Sequence, residues 1–216
     1  MLKKNHARLL KCDETAEICI NNLQKHGFKA DFVSSSEKAR LKIQEIFAPF
    51  QTFGFGGSDT TRQLNLIDDL KAAGKTVFDH WQENLSKDQD LEIRLAQGRC
   101  DCFVCSANAI AATGEIINVD GIGNRTNAMT FGTRKVVIVA GMNKVTLDLD
   151  SALKRVREVA GPMRAKSLNM ETPCNKTGIC SDCNSPQRIC RITTILHRCP
   201  MLSDVSVILI NEALGY

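Results

Sequence analysis

The segment RKVVIVAG (residues 134–141) decides the fold class, because it is an apolar run rich in valine and bounded by basic residues and a glycine. Such a run predicts a strand that is buried on both faces, as the inner strands of a parallel sheet are. DCFVCS (101–106) has the same character and predicts a second buried strand.

The segments around these two runs alternate between strand and helix patterns. Further strands are predicted at 28–33, 52–57, 75–79, 114–120, 188–198 and 204–214. Helices are predicted at 13–26, 34–50, 58–73, 90–96 and 150–160. This alternation is typical of a three-layer α/β/α fold with a mainly parallel, Rossmann-like sheet. We interpret residues 1–216 as one domain, with residues 162–200 as a cysteine-rich appendage.

The composition excludes several classes of protein. The 216 residues are 43% hydrophobic and 24% charged, which suits a folded domain with its own core. The net charge of +4 without a long basic block, and a single Trp and Tyr, argue against nucleic-acid binding. No segment has the length of a membrane span, and the basic N-terminus lacks the apolar run of a secretory signal. We therefore expect a cytoplasmic protein, monomeric or homo-oligomeric, whose thiols stay reduced.

The turn GFGGSDTT (54–61) is the first candidate site. Gly56 and Gly57 allow a ligand close to the backbone, and Ser58 and Thr60 add hydroxyl donors at the start of a helix. This chemistry suits a phosphate, a carboxylate or a pyrophosphate. The alternative is a strand-to-helix turn with a good cap and no ligand, because the spacing is neither that of a P-loop nor of the dinucleotide fingerprint.

The segment SANAIAATGEIINVDGIGNRTNA (106–128) is the second candidate site. Its amides, carboxylates and glycines fall at predicted strand ends, where open α/β sheets place their ligands. The candidates are Asn108, Glu115, Asp120, Asn124 and Arg125. We expect the two candidate segments to share one cleft. Glu115 taken alone would more simply be an exposed turn residue.

Lys144 follows the 134–141 strand closely. At that position it adds a cation to the edge where Arg125 is expected, which favours an anion pocket. The alternative is an ordinary solvated loop lysine.

The segment TPCNKTGICSDCNSPQRIC (172–190) contains Cys174, Cys180, Cys183 and Cys190. The central CxxC and the loop-forming spacers favour a metal site, either zinc or an iron–sulfur cluster, and Cys199 is an alternative fourth ligand. The other possibilities are a redox disulfide such as Cys180–Cys183 or simply packed thiols. The remaining cysteines near the second buried strand suit core packing. Cys100 and Cys102 are expected on one side of that strand and Cys105 on the other.

Several of these segments together resemble the LUD (lactate-utilisation) domain family, and the cysteine segment is similar to that of a short subgroup within it. The resemblance is carried by GGSDTT, SANAIAATGEIINVDGIGNRTNA, KVVIVAGMNKV, PCNKTGICSDCNSPQRIC and ALGY, which cover nearly the whole chain. It implies the α/β/α fold of the sugar-isomerase and CoA-transferase superfamily, whose members bind phosphate or CoA near the position of GGSDTT. Asn108 matches the position of the isomerase's catalytic aspartate, and an amide cannot serve as a general base.

Three functional hypotheses follow from the residues and the resemblance. The first is binding of an anionic small molecule at the carboxyl edge of the sheet, in lactate or related carboxylate metabolism. The second is an iron–sulfur or zinc accessory module that docks to oxidoreductase partners. The third is a CoA-dependent transferase that uses Glu115 as its nucleophile.

Overall fold

The computed structural model describes residues 12–216, whereas the basic segment 1–11, on which the prediction about a secretory signal depends, lies outside the described residues. The strands are β1 (Lys29–Val33), β2 (Thr52–Phe55), β3 (Thr76–Asp79), β4 (Cys102–Cys105), β5 (Ala109–Ala111), β6 (Ile116–Asp120), β7 (Lys135–Gly141), β8 (Val145–Thr146), β9 (Ile192–Leu196) and β10 (Asp204–Ile210). The helices are α1 (Cys12–Lys25), α2 (Ser36–Phe47), α3 (Asp59–Gln63), α4 (Leu66–Ala72), α5 (Lys87–Gln97), α6 (Asn124–Thr130), α7 (Leu149–Arg155), α8 (Gly161–Ser167) and α9 (Pro173–Thr177). Within residues 12–216, none of the helices has the length and apolarity needed to cross a membrane.

Six strands form the main sheet in the order β1-β10-β7-β4-β2-β3, and every neighbouring pair is parallel. β7 lies inside this sheet and is buried along its whole length. Its Val136 and Ile138 face the layer that contains α1 and α6. Its Val137 and Val139 face α2 and α4 on the other side. The predicted three-layer α/β/α fold is therefore confirmed, with β4 and β7 as adjacent inner strands.

A second sheet of four strands, in the order β8-β5-β6-β9, was not expected from the sequence. The tight turn at Gly114, which has a φ of +107°, sends the chain straight back, so β5 and β6 pair as an antiparallel hairpin. Parallel neighbours need a long crossover instead, and β6 therefore cannot follow β5 within the main sheet. β9 also pairs with β6, which places residues 192–196 in this second sheet.

The predicted sides of the cysteines around β4 need a correction. Cys102 packs with the α2 and α4 layer, whereas Cys100 and Cys105 both pack on the opposite side of the sheet. Cys102 and Cys105 are three residues apart on one strand and so point to opposite faces. Cys100 precedes the strand, so the alternation of side chains along the strand does not extend to it. Its thiol donates a hydrogen bond to the carbonyl oxygen of Gln97 at 3.2 Å. All three are buried core residues, as predicted.

The helix predicted at 150–160 continues further, from α7 through a π-helical turn at Val156–Ala160 into α8. In the wider turn, the N–H of Gly161 donates to the carbonyl oxygen of Val156. Pro162 follows at once and has no N–H to give to an α-helical partner, so the wider turn accommodates it. α7, the π-helical turn and α8 together form one long helical wall that lies beside the carboxyl edge of the main sheet.

We expect Ile138→Ala to lower the free energy of unfolding by about 2–5 kcal/mol, because it leaves a hole in a strand that is 0% exposed at this position. Chemical denaturation will measure the loss. Leu202→Ala is the matched control, since Leu202 is 85% exposed and its truncation should cost less than about 0.5 kcal/mol. Equal losses in the two variants would contradict this description of the core.

Candidate functional site

A cavity of about 620 Å³ lies at the carboxyl edge of the main sheet. Four of the main-sheet strands lead directly into its wall: Ser58 follows β2, His80 follows β3, Ser106 follows β4 and Lys144 follows β7. The second sheet contributes Asp120 at the end of β6, and the α7–α8 helical wall closes the other side. In the main sheet the chain continues from β2 to β3 on one side and from β4 to β7 on the other, so the loops after β2 and β4 diverge and leave a crevice.

Most of the residues predicted for the anion site lie on this cavity. Those that line it are Gly57, Ser58, Asn108, Asp120, Asn124, Arg125 and Lys144. Gly56 and Thr60 stand directly behind the wall. A Cβ atom at Gly56 would lie 3.2 Å from the stem of Arg125, and Thr60 Oγ1 accepts a hydrogen bond from Lys144 Nζ at 2.9 Å. The two candidate segments of the sequence thus share one cavity.

Glu115 does not line this cavity, and the expectation that it shares a cleft with Arg125 is wrong. Glu115 precedes β6, whereas the cavity lies at the Asp120 end of the same strand. Five residues of strand separate the two ends by roughly 16 Å. The carboxylate of Glu115 instead accepts a hydrogen bond from Thr113 in the hairpin turn.

The glycine turn after β2 is shaped by the indole of Trp81, which lines the cavity. A Cβ atom at Gly57 would lie 2.9 Å from the indole of Trp81, so only glycine fits there without a rearrangement. The guanidinium groups of Arg62 and Arg164 lie 5.0 and 4.7 Å from the centroid of the same indole. Both distances are in the range of cation–π attraction. The glycine therefore makes room for a Trp81–arginine stack at the cavity wall.

Arg125 joins the two sheets at the centre of the site. Its Nη2 donates to the carbonyl oxygen of Val119 at 2.6 Å and to Asn108 Oδ1 at 3.2 Å, and it lies 2.7 Å from Asp120 Oδ1. Its buried Nε has no hydrogen-bond partner among the described residues. An unpaired N–H of a guanidinium is costly in a protein interior.

His80 is a site residue that the sequence analysis missed. Its Nδ1 lies 2.9 Å from the side-chain nitrogen of Gln97, and that nitrogen also donates to the carbonyl oxygens of Phe55 and Phe78. Two carbonyl oxygens can only accept, so the atom facing them must be the NH₂ group. An amide nitrogen cannot accept a hydrogen bond, so His80 Nδ1 must be unprotonated and share one of the two amide protons with a carbonyl oxygen. The neutral ring therefore carries its proton on Nε2. Burial and the nearby Arg94 lower the pKa of His80 to about 4.

The hydrogen bonds that begin at His80 and Gln97 extend to Asn124 and Arg94. Asn124 Nδ2 donates to Gln97 Oε1 at 3.1 Å, and Arg94 Nη1 donates to Asn124 Oδ1 at 3.1 Å. Asn124 was predicted as a ligand residue, and here its side chain positions Gln97 and through it His80. The one sequence signal for His80 was its place immediately after the predicted strand 75–79, at the carboxyl edge of the sheet.

The amine of Lys144 is almost completely buried, with 4% of the residue exposed. It donates to Thr60 Oγ1 at 2.9 Å and to Ser106 Oγ at 3.0 Å. Burial, and then the positive charges of Arg155 and Arg125, lower the pKa of Lys144 to about 7. The alternative of a solvated loop lysine is therefore wrong.

All four cysteines of the 172–190 segment line the same cavity. Arg188 ties this loop together, because its guanidinium donates to the carbonyl oxygens of Cys183 and Cys190 at 2.8 and 2.9 Å. Cys199 lies elsewhere, with its thiol 3.4 Å from the carbonyl oxygen of Ser203. Across residues 12–216, three or more His, Cys, Asp or Glu side chains are nowhere grouped so that they could hold a metal ion.

The cysteines of the core differ from these loop cysteines in their chemistry. Burial raises the pKa of Cys19, Cys100 and Cys105 to about 12, so these thiols stay protonated and act as apolar side chains. The loop cysteines are only partly buried.

Together, the fold and the site define an α/β/α protein with a basic, ligand-sized cavity at the carboxyl edge of its parallel sheet. The family model of the LUD domain matches residues 16–210, and the chain belongs to this family. A solved structure described as a DUF162 family protein from Deinococcus radiodurans is similar to it, with a TM-score of 0.56 and 14% identity over 94% of this chain and 99% of that one. That likeness supports the fold. No curated protein matches the chain.

We expect the His80 ring to stay neutral, with its proton on Nε2, until the pH falls to about 4. The unfolded chain binds this proton near pH 6.5, so stability present above that pH is lost as the pH falls from about 6.5 towards 4. Nitrogen-15 NMR of the histidine rings will report both the tautomer and the titration. A proton on Nδ1, or a midpoint near the ordinary histidine value, would show that Gln97 does not impose this state.

Proposed function

We propose that this LUD-domain protein binds an anionic small molecule, bearing a carboxylate or a phosphoryl group, in the cavity at the carboxyl edge. The observation that carries the proposal is an excess of positive charge on the cavity wall. The basic residues that line it are Arg94, Arg125, Lys144, Arg157, Arg164 and Arg188. The acidic residues that line it are Asp59, Asp120 and Asp182.

The ion pairs within the wall leave part of this charge uncompensated. Asp120 pairs with Arg125 at 2.7 Å, Asp59 with Arg164 at 3.3 Å, and Asp182 with Arg188 at 2.8 Å. Each acidic residue is therefore already used by one arginine. Among the described residues, Lys144 Nζ donates its hydrogen bonds to two hydroxyl groups, and the carboxylates of the wall pair with arginines and not with Lys144.

Burial makes this arrangement costly without a ligand. It lowers the pKa of Arg164, because the charged guanidinium has lost part of its water. A carboxylate or phosphate at this point would replace the lost solvation with charge-assisted hydrogen bonds. The volume of about 620 Å³ falls in the range of small-molecule sites.

The membership of the LUD family supports a ligand from lactate or related carboxylate metabolism. A 2-hydroxy or 2-oxo carboxylate fits the basic wall and is smaller than a CoA ester. Glu115 plays no part in this proposal, because the hairpin places it away from the cavity.

We expect Arg164→Gln to weaken binding of the anion that a thermal-shift screen selects from 2-oxo and 2-hydroxy carboxylates, phosphate, sugar phosphates and coenzyme A. Loss of one charged hydrogen-bond donor should raise the Kd about tenfold or more, as isothermal titration calorimetry can measure. Arg40→Gln is the matched control, because Arg40 also pairs with an aspartate, Asp69, but outside the cavity. Equal weakening in both variants, or no stabilising anion in the screen, would contradict the proposed function.

The cysteine segment favours a second candidate function, metal binding at the mouth of the same cavity. The specific observation is that Cys174, Cys180, Cys183 and Cys190 all line it, although they do not converge in this arrangement. Residues 179–191 form neither helix nor strand, so bringing their sulfurs together would require no helix or strand to unfold within this loop. Four thiolates suit zinc, which would cross-link the loop, or an iron–sulfur cluster, which would supply electron transfer with oxidoreductase partners.

We expect anaerobically purified protein to contain about one zinc, or about four iron and four sulfide, per chain. Elemental and sulfide analysis will measure this content. Cys183→Ser should reduce it strongly because it removes one thiolate, whereas Cys199→Ser should leave it unchanged because Cys199 lies outside the cavity. Metal-free protein from an anaerobic preparation would indicate that the four thiols are not ligands.

A further inference from the structure

Lys144 is held rigidly at the carboxyl end of β7. A 3-10 turn at Met142–Lys144 follows the strand directly. Asn143 ties this turn to the C-terminal loop, since its side chain accepts from the N–H of Leu214 at 3.1 Å and donates to the carbonyl oxygen of Gly215 at 3.2 Å. The backbone at Lys144 is therefore held by β7 on one side and by the C-terminal loop on the other.

The two hydroxyl groups beside Lys144 orient its amine. Thr60 Oγ1 and Ser106 Oγ each accept a hydrogen bond from Nζ. Each hydroxyl in turn donates a hydrogen bond to a backbone carbonyl oxygen. Thr60 donates to that of Leu214 at 3.2 Å and Ser106 to that of Ala107 at 3.4 Å. A neutral amine that donates two hydrogen bonds in this way keeps its lone pair for a third direction. Lys144 lines the cavity, which is where a ligand would meet it.

A second buried lysine shows what is unusual about Lys144. Lys135 is also 4% exposed, but its Nζ lies 2.8 Å from the carboxylate of Asp204 and is a salt-bridged structural group. Lys144 makes no salt bridge of this kind with the described residues, and the charged groups that act most on it are Arg155, Arg125 and Asp59. Desolvation beside other cations is the condition that activates a lysine as a nucleophile.

We propose that Lys144 is a nucleophilic amine that forms an imine with a carbonyl-bearing carboxylate of the 2-oxo acid class. This inference rests on the proposed function, because the carboxylate is the anion that the basic wall holds. The neutral amine adds to the carbonyl carbon, two of its protons pass to the carbonyl oxygen, and that oxygen leaves as water. The products are a C=N bond and one water molecule, and no oxidant or reductant is consumed.

The shared cavity favours a carbonyl next to the carboxylate. Arg125 and Lys144 line the same cavity, so a carboxylate held by the basic wall can present an adjoining carbonyl carbon to the amine. A 2-hydroxy acid presents the same carboxylate without a carbonyl. It therefore binds without forming the covalent adduct.

Reductive trapping tests the proposal directly. The full chain is incubated with glyoxylate, pyruvate, 2-oxobutyrate or 2-oxoglutarate and cyanoborohydride, and the adduct is located by peptide mass spectrometry. We expect one adduct, on Lys144, and none on Lys135. Lys144→Arg should abolish it while keeping the positive charge, because arginine does not lose its proton. Lys154→Arg is the control, because Lys154 is an exposed lysine outside the cavity.

The pH profile separates this reaction from random labelling. With a pKa of about 7, the rate at Lys144 should rise about tenfold between pH 6 and pH 8 and then level off. Labelling of an ordinary surface lysine should continue to rise towards pH 10. This readout uses the wild-type chain, so it remains decisive if Lys144→Arg fails to fold.

The outcomes distinguish the two proposals. Calorimetric binding of pyruvate and lactate without any trapped adduct from the four oxo acids would overturn imine formation and leave anion binding intact. Adducts spread over surface lysines, or unchanged in Lys144→Arg, would overturn it as well. Absence of binding by every carboxylate and phosphate tested would overturn the proposed function itself.

Discussion

The site depends on the side chain of Arg125, because it contacts both sheets, which share no hydrogen-bonded strand pair in the described part of the chain. Its stem fills the space left by Gly56 after β2, and its Nη2 reaches Val119 and Asp120 at the end of β6. Removing it would take a hydrogen-bond donor from the carbonyl oxygen of Val119 and from Asn108 Oδ1, and the charged partner from Asp120. The same group has an unpaired Nε–H among the described residues, so the side chain that assembles the site also carries an unmet hydrogen-bond donor.

Sequence patterns predicted the main sheet well, because burial on both faces leaves a direct signal in β4 and β7. They could not predict the second sheet, since a strand pattern does not say which neighbour the strand pairs with. The hairpin at Gly114 decided that question, and with it the position of Glu115. His80 escaped notice for a related reason. A single histidine after a strand has no pattern, and its significance comes from Gln97, which is distant in sequence.

The cavity wall holds positive groups in an electrostatically unfavourable environment. Positive groups such as Lys144 and Arg164 have lost water without gaining full compensation from carboxylates. The large apolar core on both faces of β7 supplies the stability that tolerates this cost. The four cysteines of the 172–190 segment line the same cavity as the basic residues. A chemical change at the thiols would therefore alter the surroundings of the basic wall.

The place of β10 in the main sheet has a consequence for how the chain is made. β10 lies between β1 and β7, so residues 204–210 must insert between strands that left the ribosome much earlier. Until then β1 has no partner in the sheet and β7 exposes one unpaired edge. Such long-range closure makes folding slow and leaves the nascent chain open to aggregation. The growing chain is therefore prone to aggregation until β10 has paired with both β1 and β7.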